Sequence, residues 1–511
     1  MNSTVFFPSP TASSMVIALD QVRAAYYDAV SKAVATGRGM PLLIPYSLLG
    51  TLIVPALWLA VPHLHRPVLY QTRWLVVAFC LAFNTHVIVT SSSDSYAISY
   101  VIGLVAAWGI MSTMHLLVWS RPQFDALRAV KASKLSQPAP ADVKHSKPAP
   151  LSDTFYWQPF PADAPFLDRL GWAVDLISSF RGIGWNWSTT SVPRPRAPRA
   201  NEPVDMDSMP LVAKCGSERC TTEAEFVRKR LSSIAILYFI VDLCLVIAAR
   251  DPYFLLGPDH AFELPGHLRN TPDYLLLAYR QLVTVTLALC ALNFLFSIND
   301  LLQYWYIKAY VPSRSALWLH PSSFGDFTSV LDRGLSGFWG GFWHQMFRQQ
   351  FLAPATYLIE NGYIKKGSQT AINVMTLISF FQSGFFHLAG SLASIPETKL
   401  WRPVLFFLLQ ALGMLIQSTF SGQARRFLPT LHKAVAKAAN LLFTIGWLYC
   451  TATFLIDDFT SAGLAMTELL PVSPLRWLGL GRATDSWLRW DRNVFPKWYR
   501  GQHWWESGLA L

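Results

Sequence analysis

Long, nearly uncharged apolar runs constrain the fold of this chain more than any other feature. Residues 42–62 contain no charged side chain, and a helical run of about 20 apolar residues is long enough to cross about 30 Å of hydrocarbon. Because the runs are continuous rather than alternating, they predict helices and not a membrane barrel. We therefore expect an all-α, polytopic membrane protein of about eight to ten transmembrane helices. The further runs are 70–90, 97–119, 232–249, 275–298, 370–394, 403–421 and 438–456, and two weaker segments are 335–359 and 462–480.

Composition agrees with a chain immersed in lipid. Hydrophobic residues make up 52% of the sequence and charged residues 14%, whereas soluble domains carry about 25% charge. So little charge cannot cover a soluble surface well, and the high apolar fraction excludes disorder throughout the chain. The formal net charge of +11 lies mostly in loops that flank the apolar runs. It fits the headgroups of a lipid bilayer as a partner and does not indicate nucleic-acid binding.

The apolar pattern divides the chain into five segments. A long interruption follows the third run, and within it residues 132–150 and 193–199 have the Pro-rich composition of linkers. Between those linkers, apolar residues at helical spacing from Phe166 onward predict an interfacial helix. The predicted segments are an N-terminal segment 1–40, three transmembrane helices in 41–119, the loop 120–230, a membrane core 231–460 and a C-terminal segment 461–511.

Loop charges predict the orientation of the helices. Lys and Arg favour the cytosolic side of short loops, and the loop after the 403–421 run is basic. If both this loop and the 120–230 loop are cytosolic, an even number of crossings must lie between them, and the runs 232–249, 275–298, 370–394 and 403–421 supply four. The segment 335–359 is then expected not to cross, but to form a tilted or re-entrant helix. Residues 1–40 lack the pattern of a cleaved signal peptide.

The first candidate site is the aromatic sequence Gly337-Phe-Trp-Gly-Gly-Phe-Trp-His-Gln-Met-Phe-Arg348. On a continuous helix, His344 shares a face with two glycines, which would let a ligand or another backbone approach. Ionisable residues at membrane depth are costly and therefore functional candidates. The alternative is an aromatic interface belt with a snorkelling arginine. The candidate binding residues here are Trp339, Trp343, Gln345 and Arg348.

The second candidate site surrounds His387, inside the 370–394 run, with Ser383 one turn before it. An imidazole in apolar surroundings stays neutral, which suits a general base. The alternative is a structural histidine that is hydrogen-bonded between helices. His320, in a loop, is a candidate for the mouth of a site.

Several other chemistries leave no motif in the sequence. No phosphate-binding loop, nucleophile elbow, metal-binding His-Glu helix or dinucleotide fingerprint is present. Cys215 and Cys220 have the spacing of a disulfide or half a metal site, but no second Cys/His pair completes one. We therefore expect no metal.

At the two histidine clusters the sequence resembles the membrane-bound O-acyltransferase superfamily, in its wax-synthase-like branch. The resemblance rests on Phe338-Trp-Gly-Gly-Phe-Trp-His344, which is similar to the Phe-Trp-x-x-x-Trp-His motif of that branch. Trp318-Leu-His-Pro-Ser-Ser-Phe-Gly-Asp326 upstream and His387 downstream support it. The likeness covers roughly residues 170–460 and is strongest to fungal members that acetylate terpenoid and meroterpenoid products.

This resemblance implies a helical fold around a reaction chamber, with His387 as the catalytic histidine and His344 where many other members carry Asn. It implies a multi-pass enzyme of the endoplasmic reticulum that uses acetyl-CoA, or another acyl-CoA, as a co-substrate and a hydrophobic alcohol as acceptor. No permanently bound cofactor is expected. Two alternatives are a long-chain acyl-CoA:alcohol acyltransferase that makes wax or sterol esters, and a membrane transporter or scaffold.

Overall fold

A computed structural model describes most of the chain. The N-terminal part of segment 1–40 lies outside the described residues, as does the predicted Pro-rich linker from residue 133 onward. The described residues are 19–35, 40–93, 95–132, 154–196, 198–396, 398–427, 432–482, 485–490 and 495–510.

Helices dominate the described residues, which confirms the predicted all-α class. The apolar runs supply the long ones, because a run without breakers satisfies its own backbone in lipid only as a helix. The helices are α1 Leu19–Ala35, α2 Val54–Ala60, α3 Pro67–Gln71, α4 Arg73–Thr90, α5 Tyr96–Met114, α6 Pro122–Asp125, α7 Phe166–Ser178, α8 Glu223–Ala248, α9 Pro252–Leu256, α10 Asp273–Tyr310, α11 Thr328–Arg333, α12 Leu335–Gly337, α13 Arg348–Glu360, α14 Gln369–Ala393, α15 Trp401–Phe427, α16 Lys433–Thr451, α17 Thr453–Ser461 and α18 Pro474–Trp477.

Fewer of these helices are long enough to cross a membrane than the eight to ten expected from the sequence. Among the described residues, six helices have the length and apolar character of a span, and α16 with α17 forms a seventh that is bent by 45°. The first apolar run gives only a shorter helical stretch, Tyr46–Ala60. It consists of a 3₁₀ turn, a π turn and α2, and it is shorter than the roughly 20 residues that a helix needs to cross the hydrocarbon.

Short strands lie outside the membrane helices, at the two ends of the bundle. β1 pairs in parallel with β3, and β7 lies antiparallel between β2 and β6. β4 pairs antiparallel with β5, with Arg128 opposite Gln158. The strands are β1 Met40–Pro41, β2 Leu43–Ile44, β3 Ser91–Ser92, β4 Arg128–Lys131, β5 Phe155–Gln158, β6 Lys497–Tyr499 and β7 Gly508–Ala510.

The core forms where α5 crosses α14. Gly103 faces the backbone of α14 so closely that an added Cβ would lie 2.0 Å from the carbonyl oxygen of Ala389. Gly390 faces the ring of Tyr100, and a Cβ there would lie 2.5 Å from its Cε1 atom. These glycines let the two helices approach more closely than larger residues would permit.

A helix, α7, forms where the sequence predicts an interfacial helix, between the two Pro-rich segments, and its position at a membrane surface stays a prediction. Trp172 and Ile177 are buried in a cluster with residues of α2 and α5. Leu167 on its other side remains 74% exposed. Cys215 and Cys220, which follow in the same loop region, are both buried free thiols.

Candidate active site

The histidine of the aromatic motif lies in a turn and not on a helix. After α12, residues Phe338–Phe342 form a π turn, and the extended backbone of Trp343 (ψ 146°) ends the helical segment. The backbone becomes helical again only in α13, which begins at Arg348. The predicted helical face shared by His344 and the glycines is therefore wrong. Residues 335–359, expected as a tilted or re-entrant helix, form α12, a π turn and α13 instead.

Gln345 and Arg348 hold this turn together. The side-chain amide of Gln345 donates to the carbonyl oxygens of Trp339 (2.8 Å) and Trp343 (2.6 Å). One Nη of Arg348 donates to the side-chain oxygen of Gln345 (2.6 Å) and to the carbonyl of Gly340 (3.0 Å). Both amide hydrogens of Gln345 are thus used within the turn.

His344 projects from the turn into an aromatic enclosure. Its ring centroid lies 5.7 Å from that of Phe296, 5.8 Å from Phe324 and 6.1 Å from Phe347. Its Nδ1 atom is buried and has no hydrogen-bond partner among the described residues. A buried polar atom without a partner costs about 1–3 kcal/mol, and a bound substrate group would remove that cost.

His387 lies on α14 and adjoins the same enclosure. Its imidazole stacks on Phe407 of α15, with ring centroids 4.8 Å apart. Phe347, which contacts His344, packs against Phe386 with ring centroids 4.7 Å apart. The ring centroid of Phe386 lies 5.6 Å from that of His387, so the Phe347–Phe386 pair joins the two imidazoles. The structure thus brings together the two histidines that the sequence analysis singled out.

Two polar residues near His387 escaped the sequence analysis. The hydroxyl of Tyr100, on α5, lies 3.3 Å from Nδ1 of His387 and 3.4 Å from Oδ2 of Asp458, on α17. Ser391 donates to the same carboxylate oxygen over 2.6 Å. Asp458 comes just after the end of the 438–456 run, and a carboxylate so close to an apolar span was the available signal.

Trp339, Trp343 and Ser383 lie around these histidines. The indole of Trp339 donates to Gln410 over 3.3 Å and packs beside Phe407, with ring centroids 5.9 Å apart. Trp343 lies beside His344, with ring centroids 5.2 Å apart. Ser383 lies one turn before His387 on α14.

His320 lies deeper in the protein than a residue at the mouth of a site. Its ring meets Tyr304 edge-on, with ring centroids 5.7 Å apart, and burial lowers its pKa to about 4, so it is neutral at pH 7. The following carbonyls of Pro321 and Ser322 accept hydrogen bonds from Arg181 at 3.0 Å and 2.7 Å. This anchored loop leads to Phe324, which contacts His344.

A basic cavity lies in the loop between α7 and α8. Its volume is about 870 Å³, and Arg194, Arg196 and Lys214 contribute to its lining together with Asp207. The cavity segment is tied to the His344 turn by two backbone hydrogen bonds. Asp326 N–H donates to the carbonyl of Cys215 (3.0 Å), and the neighbouring Gly325 N–H donates to that of Phe342 (3.1 Å).

Comparison with known proteins gives a family for the segment that carries the site. The model of the Membrane bound O-acyl transferase family matches residues 320–409. O-Mevalon transferase yanI of Aspergillus niger is 25% identical over 64% of this chain. Acetyltransferase ple2 of Rhodocybe pseudopiperita is 23% identical over 78% of this chain and 88% of its own length. Acetyltransferase fsoF of Humicola fuscoatra is 30% identical over 29% of this chain and 37% of its own length.

The alignment with yanI spans 61% of that protein. No solved structure matches the chain. The matched segment 320–409 begins at His320 and contains both His344 and His387. These matches confirm the resemblance to the membrane-bound O-acyltransferase family that the aromatic-histidine motif predicted.

Proposed function

We propose that this chain is an O-acyltransferase that moves an acetyl group from acetyl-CoA to a hydroxyl of a terpenoid or meroterpenoid. The observation that carries the proposal is the neighbouring position of His344 and His387 around the Phe347–Phe386 contact. The names of relatives such as ple2 and fsoF support acetyl as the acyl group. Cytosolic acetyl-CoA and a lipophilic acceptor meet at the endoplasmic reticulum, which is the membrane we propose.

His387 acts as the general base. No hydrogen bond reaches its Nε2 atom from the described residues, whereas Nδ1 faces Tyr100. Nε2 takes the proton of the acceptor hydroxyl while that oxygen attacks the thioester carbonyl. The C–S bond then breaks, and the proton passes to the leaving thiolate of CoA. Stacking on Phe407 holds the imidazole plane in place for both proton transfers.

His344 stabilises the acyl group during this attack. Its Nδ1 atom is buried without a partner in the described structure, so a hydrogen bond to the thioester oxygen would satisfy it. Such a donor contributes most where negative charge develops in a site that excludes water. Gln345 and Arg348 position the turn that carries His344, and Trp339, Trp343 and Ser383 line the substrate space beside it.

The basic cavity receives the phosphorylated nucleotide end of the acyl-CoA. Arg194, Arg196 and Lys214 are exposed cations on its lining, and guanidinium and ammonium groups bind phosphates well. The hydrogen bonds through Cys215 and Gly325 link this segment to the His344 turn. A donor that lies along this link would present its thioester end to the two histidines.

Replacement of each histidine tests the function. Acetyl-CoA and a panel of terpenoid alcohols are added to washed membranes that contain the wild-type chain, His387→Ala or His344→Ala. Mass spectrometry then measures the masses of the products. We expect a gain of one acetyl unit with the wild type. Loss of the general base should lower turnover by about 10²- to 10⁴-fold. The exposed His86 provides the control variant His86→Ala, which should retain wild-type turnover. Undiminished turnover in His387→Ala would contradict the proposed mechanism.

The same assay separates the alternatives. Long-chain acyl-CoA:alcohol transfer predicts that palmitoyl-CoA is used in preference to acetyl-CoA. A transporter or scaffold predicts no covalent product in washed membranes with either donor.

A further inference from the structure

We propose that Tyr100 and Asp458 are positioning residues that fix His387 in the tautomer with a free Nε2 lone pair. This inference rests on the proposed function, in which Nε2 is the base. It assigns a role to two helices, α5 and α17, which contribute nothing to the segment that the family model matches.

Geometry joins the three residues into one chain of contacts. Tyr100 Oη lies 3.3 Å from His387 Nδ1 and 3.4 Å from Asp458 Oδ2. These distances are at the long end of hydrogen bonds, as catalytic contacts often are before a substrate is bound. The residues are 287 and 358 positions apart from Tyr100 in sequence, so only the packing of three helices brings them together.

The relative strength of the acceptors around Tyr100 determines where its hydroxyl donates. The phenolic hydroxyl has one hydrogen, and it can reach Nδ1, the carbonyl of His387 (3.2 Å) or the carboxylate of Asp458. A carboxylate is the strongest acceptor of the three. When Tyr100 donates to Asp458, its oxygen accepts from Nδ1–H, and the lone pair of His387 is left on Nε2.

Asp458 also supplies charge where the reaction needs it. Its side chain is 0% exposed, and its Oδ1 atom has no hydrogen-bond partner among the described residues. Burying a carboxylate costs free energy of folding. A neutral side chain could make a structural hydrogen bond to Ser391 at a lower cost. During the attack, the acceptor oxygen bonds to the acyl carbon and its proton moves to Nε2. The resulting imidazolium of His387 is then separated from the Asp458 carboxylate only by the hydroxyl of Tyr100.

The packing of α5 on α14 holds Tyr100 at this distance. The ring of Tyr100 is 2% exposed and lies against Gly390, where any side chain would collide with it. Ser391 donates to the Asp458 carboxylate from the next position of α14. The position of the phenol is therefore determined from both sides before the substrate arrives.

Conservative variants with matched controls test the inference. Tyr100→Phe removes the hydroxyl and keeps the ring, and Asp458→Asn keeps the shape and removes the charge. We expect each to lower kcat about 10- to 100-fold, the usual effect of losing an outer partner of a catalytic or ligating group. The KM for acetyl-CoA and for the wild type's best terpenoid alcohol should change less than about twofold, because both residues are proposed to act through His387 and not on a substrate.

The control variants remove similar groups that do not face His387. Tyr96→Phe removes the hydroxyl of another buried tyrosine one turn earlier on α5. Asp457→Asn changes the adjacent carboxylate, which accepts from Tyr253 over 2.6 Å. Both should retain kcat within about twofold of the wild type. Equal losses in the controls and the test variants would overturn the inference.

A double-mutant cycle with His387→Ala distinguishes positioning from a structural role. If Tyr100 acts through the imidazole, adding Tyr100→Phe to His387→Ala should leave the residual turnover unchanged. A purely structural role predicts that Tyr100→Phe lowers turnover by the same factor in the wild type and in His387→Ala. If neither Tyr100→Phe nor Asp458→Asn accumulates in membranes, the pair serves folding and the inference is overturned.

The outcomes separate this inference from the proposed function. An inactive His387→Ala with fully active Tyr100→Phe and Asp458→Asn would reject the positioning pair alone. A fully active His387→Ala would reject the general base itself.

Discussion

In the proposed reaction, single side chains divide into those that face the substrates and those that hold the facing groups in position. Among the described residues, Nδ1 of His344 and Nε2 of His387 have no hydrogen-bond partner, and both imidazoles adjoin the Phe347–Phe386 contact. Gln345 uses its whole amide within the turn. Substitutions at equal distance from the reacting atoms should therefore have unequal effects. Loss of a side chain that faces the substrates lowers kcat directly. Loss of a side chain that positions another residue lowers kcat only through the displacement of that residue.

Cations of the basic cavity provide a prediction at the residue scale. Arg196→Gln combined with Lys214→Gln should raise the KM for acetyl-CoA by roughly three- to tenfold, because an exposed ion pair is worth up to about 1 kcal/mol and about 1.4 kcal/mol is tenfold. The kcat should change little, since these residues lie away from the histidines. Initial rates at varied acetyl-CoA concentration measure both constants.

The control for this prediction replaces two exposed lysines elsewhere, Lys365→Gln with Lys366→Gln. An equal rise in KM in this control would mean that general surface charge, and not the cavity, attracts the donor. An unchanged KM in the cavity variant would show that the nucleotide end binds elsewhere.

At the residue scale, local signals were enough to single out two histidines: the aromatic motif points to His344, and an imidazole within an apolar run points to His387. The structure places both beside the Phe347–Phe386 contact, and their catalytic roles stay predictions. Tyr100 carries no local signal and Asp458 carries only its position beside an apolar run, because the significance of the pair depends on packing across 358 positions of sequence. A single sequence contains no measure of that distance.

Helices were predictable to the extent that apolar runs define them. The runs 370–394 and 403–421 correspond to α14 and α15, which extend over Gln369–Ala393 and Trp401–Phe427. The segment 335–359 behaved differently, because the hydrogen bonds from Gln345 and Arg348 stabilise a turn that helical periodicity does not describe. Breaks of this kind arise from side-chain contacts to backbone carbonyls and leave the hydrophobic pattern unchanged.

The contact between α5 and α14 provides a prediction at the element scale. In Gly103→Ala, the new Cβ would lie 2.0 Å from the carbonyl oxygen of Ala389, so the helices must separate. We expect a loss of stability of about 1–3 kcal/mol, the usual range for overpacking, together with a lower kcat as Tyr100 moves away from His387. Thermal unfolding in detergent and turnover in membranes measure the two effects.

Gly446→Ala is the matched control, because a Cβ at this position of α16 meets nothing within 4 Å. Alanine favours a helix over glycine by up to about 1 kcal/mol, so this variant should be unchanged or slightly more stable. A loss of equal size in both variants would contradict the role of close helix approach.

The whole molecule has two faces whose segments agree with the predicted crossings. We call the first the terminal face: α1 packs there with Tyr96, Leu255 and Met466, and β1 pairs with β3. We call the second the insert face, which carries β4, β5 and the basic cavity. Lys437 at the start of α16 reaches Asp332 there over 3.1 Å. The loops that the charge rule assigns to the cytosol, around 120–230 and 422–437, therefore lie on the same face.

Asn186-Trp-Ser188 is a glycosylation sequon in the 120–230 loop, but the structure makes it a poor reporter of sidedness. The side-chain oxygen of Asn186 accepts from the N–H of Leu127 (3.0 Å), and its amide donates to the carbonyl of Asp125 (2.8 Å). Ser188 is 5% exposed. A folded chain would thus leave this site unmodified in either compartment.

Cysteine labelling gives a sharper prediction at this scale. In a Cys450→Ser background, Lys214→Cys places a thiol on the insert face and His267→Cys places one between α8 and α10, on the opposite side of the membrane core. Both positions are exposed. In intact microsomes, a membrane-impermeant maleimide should label Lys214→Cys and should label His267→Cys only after detergent is added.

The proposed chemistry depends on this orientation, because acetyl-CoA is too highly charged to cross a bilayer unaided. Sealed microsomes supplied with external acetyl-CoA should therefore form product without detergent, at a rate that detergent changes little. If detergent were required and Lys214→Cys were labelled only after its addition, the insert face would be lumenal. The donor would then have to reach His387 from the terminal face, past the buried ring of Tyr100, where the structure has α5 and α14 in their closest contact.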